Sequence, residues 1–151
     1  MANSARVTGI GRVLIVVYGF LALAATGRSA VQILTKFDEA PLAYSLSALA
    51  AVVYIVATVA LVAPGRSAAS HTAWYRVAWG TITFELLGVI VIGVLSLADP
   101  ELFPHDTVWS VFGRGYVFVP LILPVLGMVW LAKHRPRSTS PAAASAAQRT
   151  A

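Results

Sequence analysis

Cysteine is absent from the 151 residues, and charge is scarce. Without cysteine there is no disulfide, no thiolate nucleophile and no Cys-ligated zinc or iron–sulfur centre. The redox compartment leaves no mark on such a chain. Charged residues make up 11% of the sequence and hydrophobic residues 58%, where a soluble domain carries about 25% charge. So few charges cannot cover a water-facing surface, which puts the chain in the membrane class. The length allows one domain and leaves no room for a soluble catalytic domain beside the apolar spans. Acids are rarer than bases, 6 against 11. The resulting excess of +5 invites a nucleic-acid reading, but bases gathered at one side of a bilayer account for it, and no nucleic-acid partner is expected.

Catalytic motifs are missing too. His71, His105 and His134 are scattered over two loops and the tail. No HExxH, GxSxG or phosphate-cradling Gly-Lys-Ser/Thr occurs, and Gly9-Ile10-Gly11 lacks the third glycine and the preceding strand of a dinucleotide fingerprint. Asp99, Glu101, His105 and Asp106 could collect a hard cation, but a nine-residue loop with two prolines more simply turns the chain. The chain is therefore read as a non-enzyme without a metal or other cofactor.

What is present is a series of long apolar runs. Val77–Ala98 carries one charge, Glu85, in its 22 residues. As a helix it is about 33 Å long, enough to cross the hydrocarbon core. Residues 13–35 form another span, entered at Arg12 and left at Lys36. A signal peptide competes here, with Arg6 and Arg12 as its basic start and Ala22-Leu23-Ala24 as its cleavage site. Apolar character resumes after Arg28, however, and completes a full-length span. Residues 42–63 form a second span without charge, opened by Asp38 as cap and Pro41 in the first turn and closed by Ala63-Pro64-Gly65. Residues 108–132 form the fourth, with Asp106 as its expected cap. The basic loop 64–76 has an aromatic edge at Trp74, Tyr75 and Trp79, suited to the headgroup level. Trp109, Phe112, Tyr116 and Phe118 are read as interfacial and lipid contacts. Residues 1–9 and the low-complexity tail 136–151 are expected to be disordered.

Counting Lys and Arg gives the topology. Arg6, Arg12, Arg66, Arg76, Lys133, Arg135, Arg137 and Arg149 fall on one side with no acid among them. Arg28, Lys36 and Arg114 fall on or near the other with Asp38, Glu39, Asp99, Glu101 and Asp106. The positive-inside rule then gives an all-α, membrane-spanning four-helix bundle over residues 10–135 with both termini cytoplasmic. The expected setting is a bacterial cell (inner) membrane, crossed several times.

Within the bundle, Ala78, Thr81, Ile82, Gly88, Val89, Ile92 and Ser96 share the Glu85 face. Ala43–Ser47–Ala51–Tyr54–Thr58 and Ala22–Thr26–Ala30 are small or polar stripes on two other spans, which permit close helix approach in lipid. Pro120 and Pro124 lie on one face and leave the carbonyls of Tyr116 and Pro120 without helical partners. They predict a kink that fits the helix to its neighbours, with a hinge or carbonyl ligand site as the alternative. Gly113, Pro120 and Gly127 share roughly that face.

Three charges lie within the spans. Arg28 and Arg114 sit roughly 24 and 27 Å from the cytoplasmic side and Glu85 roughly 13 Å from it. The arginines can snorkel to the outer headgroups or pair with loop acids. Glu85 is too deep for that, and a carboxylate at such depth costs a few kcal/mol or more. Three states are open to it: protonated and hydrogen-bonded, with Tyr54, Thr58 or Thr81 as candidate partners; paired with Arg28 or Arg114; or hydrated in a proton or cation pathway.

Two stretches, KFDEAPLAYSLSALAAVVYIVATVAL and DTVWSVFGRGYVFVPLILPVLGMVWL, resemble those of small, uncharacterised four-span integral membrane proteins of actinobacteria. The resemblance covers residues 10–135 and implies a membrane fold and no activity. Size and a single buried glutamate are also similar to small multidrug-resistance exporters. Their key glutamate, however, is in the first helix, where this chain has Arg28, so no residue role carries over. The expectation is a non-catalytic accessory or scaffold subunit, with a small proton- or cation-coupled transporter using Glu85 as the alternative. Its expected partners are the bilayer, anionic lipid at the cytoplasmic face through Lys133, Arg135 and Arg137, and a membrane protein or a second copy of the chain.

Overall fold

The computed structural model describes residues 9–63 and 67–136. The tail from 137 onward, the start through residue 8 and the Pro64-Gly65 helix stop lie outside the described residues. Regular structure among the described residues is entirely helical: α1 (Gly9–Lys36), α2 (Pro41–Val62), α3 (Ala68–Ala98) and α4 (Val119–Lys133), with 3-10 turns at Phe37–Glu39, Pro100–Leu102 and Ser110–Tyr116. Three of these helices are long and apolar enough to cross a membrane, and a fourth crossing exists if Ser110–Tyr116 and Val119–Lys133 count as one broken span.

Local sequence explains most of the boundaries. α2 opens on Pro41, whose missing N–H is no loss in a first turn. Its cap residue is Ala40, without a side-chain bond, and Asp38 lies instead in the preceding 3-10 turn. α3 starts at Ala68, well before the expected entry at Val77, because the Ser67 hydroxyl accepts from the Ser70 N–H at 3.2 Å and caps it. Most of the expected loop 64–76 is thus the first turns of α3.

α1 and α2 form the most closely associated pair. α2 turns Ala43, Ser47, Ala51 and Tyr54 inward, with Thr58 half-buried. On α1 the inward face is Leu14, Tyr18, Leu21, Ala22, Ala25 and Ser29. Thr26 and Ala30 are exposed, so the expected Ala22–Thr26–Ala30 stripe is not the packing face. Hydroxyls within the spans fold back on their own helices: Ser29 donates to the Ala25 carbonyl, Ser47 to Ala43 at 3.0 Å, Thr58 to Tyr54 at 2.7 Å and Thr81 to Val77 at 2.8 Å. None of them is left bare in apolar surroundings.

The fourth segment departs most from expectation. Residues 108–132 are not one helix. The turn Ser110–Tyr116 meets α4 at 97°, and the break falls at Val117 and Phe118, just before Pro120. Pro120 is therefore a first-turn residue of α4, and only Pro124 lies inside it. Val111, Phe112, Val117 and Phe118 take left-handed φ of 48, 58, 54 and 59°, at a cost of about 1–2 kcal/mol each. Packing and hydrogen bonds hold the break in place. Asp106 is not the cap: the turn Ser110–Tyr116 begins after Trp109, and the Thr107 hydroxyl accepts from the N–H groups of Trp109 (3.1 Å) and Ser110 (2.9 Å) at its start. The Ser96 hydroxyl of α3 accepts from the Val111 N–H at 2.8 Å. Two α3 glycines seat the aromatic rings. A Cβ at Gly88 would fall 2.8 Å from the Trp109 ring, and one at Gly93 would fall 2.5 Å from the Phe112 ring. The Pro120 ring in turn covers Gly113, where a Cβ would lie 2.8 Å from Cδ.

These constraints have opposite signs at two sites. Gly93→Ala should destabilise the protein by about 1–3 kcal/mol, because its new methyl meets the Phe112 ring and backbone. Val117→Gly, at an exposed left-handed position, should stabilise it by about 1 kcal/mol. Reversible unfolding of the purified protein in mixed detergent reads both, and a loss of stability for Val117→Gly would contradict the left-handed break.

Candidate functional site

Glu85 projects from the middle of α3 into the bundle and is 0% exposed. Ala78, Ile82 and Val89, on the same face, are buried with it. Its Oε2 accepts a hydrogen bond of 2.8 Å from the Tyr18 hydroxyl of α1. Its Oε1 is buried and has no hydrogen-bond partner among the described residues. α4 closes the site from a third direction. A Cβ at Gly127 would lie 3.0 Å from Ile82 Cδ1 and 3.6 Å from the Tyr18 hydroxyl, so the absent side chain lets α4 approach the acid's own hydrogen bond.

A second polar contact borders the first. Tyr18 and Tyr54 lie with ring centroids 6.3 Å apart, and the Tyr54 hydroxyl accepts from Trp109 Nε1 at 3.1 Å. Four ring and carboxyl groups from α1, α2, α3 and the broken segment are thereby gathered around one level of the bundle. Trp109 is 2% exposed, which corrects its reading as a lipid contact. Phe112 and Tyr116 are likewise half-buried against the core, while Phe118 remains exposed.

Of the expected partners of Glu85, Tyr54 borders the site without a hydrogen bond to the acid, and the others are engaged away from it. Tyr54 is engaged with Trp109, and the Thr58 and Thr81 hydroxyls are engaged with backbone carbonyls of their own helices. Arg28 donates through Nη2 to the backbone carbonyl of Asp106 at 2.6 Å. Arg114 is exposed and joins no ion pair among the described residues. The ion pairs there are Lys36–Glu39 at 3.8 Å and His105–Glu39 at 3.5 Å. The His105–Glu39 contact and the stacking of His105 on Tyr44 at 5.8 Å tie the α1–α2 connection to the α3–α4 connection at one end of the bundle. Among the described residues no three His, Asp or Glu side chains gather as a metal site, so Asp99, Glu101, His105 and Asp106 do not form the cluster their spacing allowed.

Sequence reasoning missed Tyr18, although a signal was available. It stands one turn before Ala22 on the same face of the first span, at a depth similar to that of Glu85, and it has a hydroxyl long enough to cross to a neighbour. Chemically, the site offers the carboxyl one donor and no cation among the described residues. No family model, no curated protein and no solved structure matches the chain.

The Tyr18–Glu85 bond should appear in a double-mutant cycle. Tyr18→Phe and Glu85→Leu each leave a buried polar group unpaired, at about 1–3 kcal/mol. The double variant leaves neither, so it should be more stable than the sum of the single losses by about 0.6–1.7 kcal/mol. Additive losses in the unfolding titration would mean the bond is not made.

Proposed function

We propose that the protein is a multi-pass integral membrane protein of the bacterial cell membrane, with both termini cytoplasmic, acting as a non-catalytic accessory or scaffold subunit. The observation that carries the non-catalytic reading is the closure of its one intramembrane acid: Glu85 is fully buried and hydrogen-bonded to Tyr18. In this reading the acid joins α1 to α3 through an interhelical hydrogen bond and carries no ion. The membrane reading is supported by the length and apolarity of α1, α2 and α3. The orientation is supported by the basic residues at one set of ends and by the contacts that bring the two acidic connections together at the other. Large apolar side chains such as Val16, Phe20, Leu23 and Leu34 point outward along α1. This suits contact with lipid, a membrane-protein partner or a second copy of the chain.

A second reading has one observation in its favour. The Glu85 Oε1 is buried without a partner among the described residues, and an intramembrane carboxyl with a free oxygen can serve as a proton-binding site for a small coupled carrier. Flux separates the two. In proteoliposomes carrying a proton or cation gradient, the subunit reading expects background flux from the wild type and the same from Glu85→Gln. Flux above background that Glu85→Gln abolishes would establish the carrier. Reporter tags on the two ends test the orientation: both are expected to report the cytoplasm, and opposite faces would refute it.

A further inference from the structure

One more feature lies on the outside of the bundle. Val52 and Val56 of α2 and Val77, Gly80, Thr81 and Phe84 of α3 line an open groove of about 350 Å³. Its walls are apolar, since the Thr81 hydroxyl is turned to its own helix. Gly80 leaves open space along it, since an added Cβ there would meet nothing within 4 Å. The groove runs along α3 toward the helix's basic end, and Arg76 stands one turn beyond Gly80 on the same face. Tyr75 points elsewhere, donating to the Leu131 carbonyl of α4 at 3.1 Å. Arg76 is exposed and makes no ion pair or hydrogen bond among the described residues. Side chains on a helix lean toward its N-terminus, which here carries the guanidinium away from the groove and toward the headgroup level.

We propose that this groove, with Arg76 at its mouth, is a binding site for an anionic phospholipid of the cytoplasmic leaflet. One acyl chain lies along Val77, Gly80 and Phe84, and the phosphate meets the guanidinium. Charge complementarity selects this occupant. A zwitterionic lipid fills the same groove but adds no net negative charge for Arg76, and an apolar helix from a second copy would leave that cation unmatched. The proposal rests on the membrane reading above and is separate from the role of Glu85.

The test counts phosphatidylglycerol and phosphatidylcholine retained on the full chain by native mass spectrometry after extraction from vesicles containing equal amounts of both. Carbonate extraction of the same vesicles reports insertion. The wild type should resist carbonate and retain phosphatidylglycerol over phosphatidylcholine by about fivefold, the worth of one cation at an anionic surface. Arg76→Gln should bring the two lipids to parity. Gly80→Leu, which fills the groove and suits a helix, should lower retention of both. Arg135→Gln should leave the preference intact. Equal retention by the wild type, or a preference abolished by Arg135→Gln and not by Arg76→Gln, overturns the site while leaving insertion standing. A dimer lost in Gly80→Leu without any lipid preference assigns the groove to a second copy and also overturns it. Release by carbonate removes the membrane reading and this proposal together.

Discussion

A carboxyl group enclosed by apolar helices has no water to fall back on, so its hydrogen bonds must come from the protein. Among the described residues Glu85 meets that demand with a single donor, the Tyr18 hydroxyl 2.8 Å away. The requirement acts on more than these two side chains. α1 must present Tyr18 at the level of Glu85. α4 carries glycine at 127, where a Cβ would press on the Ile82 side chain at 3.0 Å and touch the Tyr18 hydroxyl at 3.6 Å, so α4 packs close to the pair. Tyr54 must find its own partner, which it does in Trp109. Helix association in lipid lacks the water-driven term that assembles soluble cores, and depends on close packing and a few interhelical hydrogen bonds. In the membrane setting proposed above, one such bond between α1 and α3 contributes more to specifying which faces meet than its modest energy suggests.

The broken fourth segment is the other half of the arrangement. Trp109 reaches Tyr54 only because the chain turns sharply between Thr107 and Phe118 and brings the indole over Gly88. Four non-glycine residues in the left-handed region raise the energy of that turn. Their cost is offset by the Thr107 and Ser96 hydroxyls and by two aromatic rings seated on glycines of α3. Gly88 and Gly93 are thus less a general licence for close helix approach than specific sockets. The break also shortens α4 to 15 residues, about 22 Å of helix. This is less than a bilayer's hydrocarbon core, so α4 alone is too short to cross one, and a fourth crossing requires the turn as well.

Helix class and the approximate extent of α1, α2 and α3 were readable from apolar run length, because twenty or so apolar residues have few other uses. The inward face of α3 was readable from the position of Glu85, since a charge in lipid must turn inward. The inward face of α1 was not, because alanine-rich spans offer several small stripes and the size of a side chain does not say which one packs. The break at Val117 and Phe118 was hidden for a different reason. β-branched and aromatic residues ordinarily refuse left-handed φ, and Pro120 and Pro124 drew attention to a kink inside the helix when the chain instead breaks ahead of the first of them. Arg28 and Glu85 seemed natural partners by charge, yet Arg28 finds a nearby backbone carbonyl at the bundle end, and the separation in depth of about 10 Å is never bridged.

Enclosure of the Glu85 carboxyl is the claim on which the structural role of the acid rests. Dicyclohexylcarbodiimide partitions into lipid and modifies intramembrane carboxyl groups that face it, so peptide mapping after treatment of intact membranes gives a direct reading. Glu85 should stay unmodified in the native protein and become modified once the protein is unfolded in denaturing detergent. Rapid modification in intact membranes would mean that the acid faces the acyl chains, which contradicts the account.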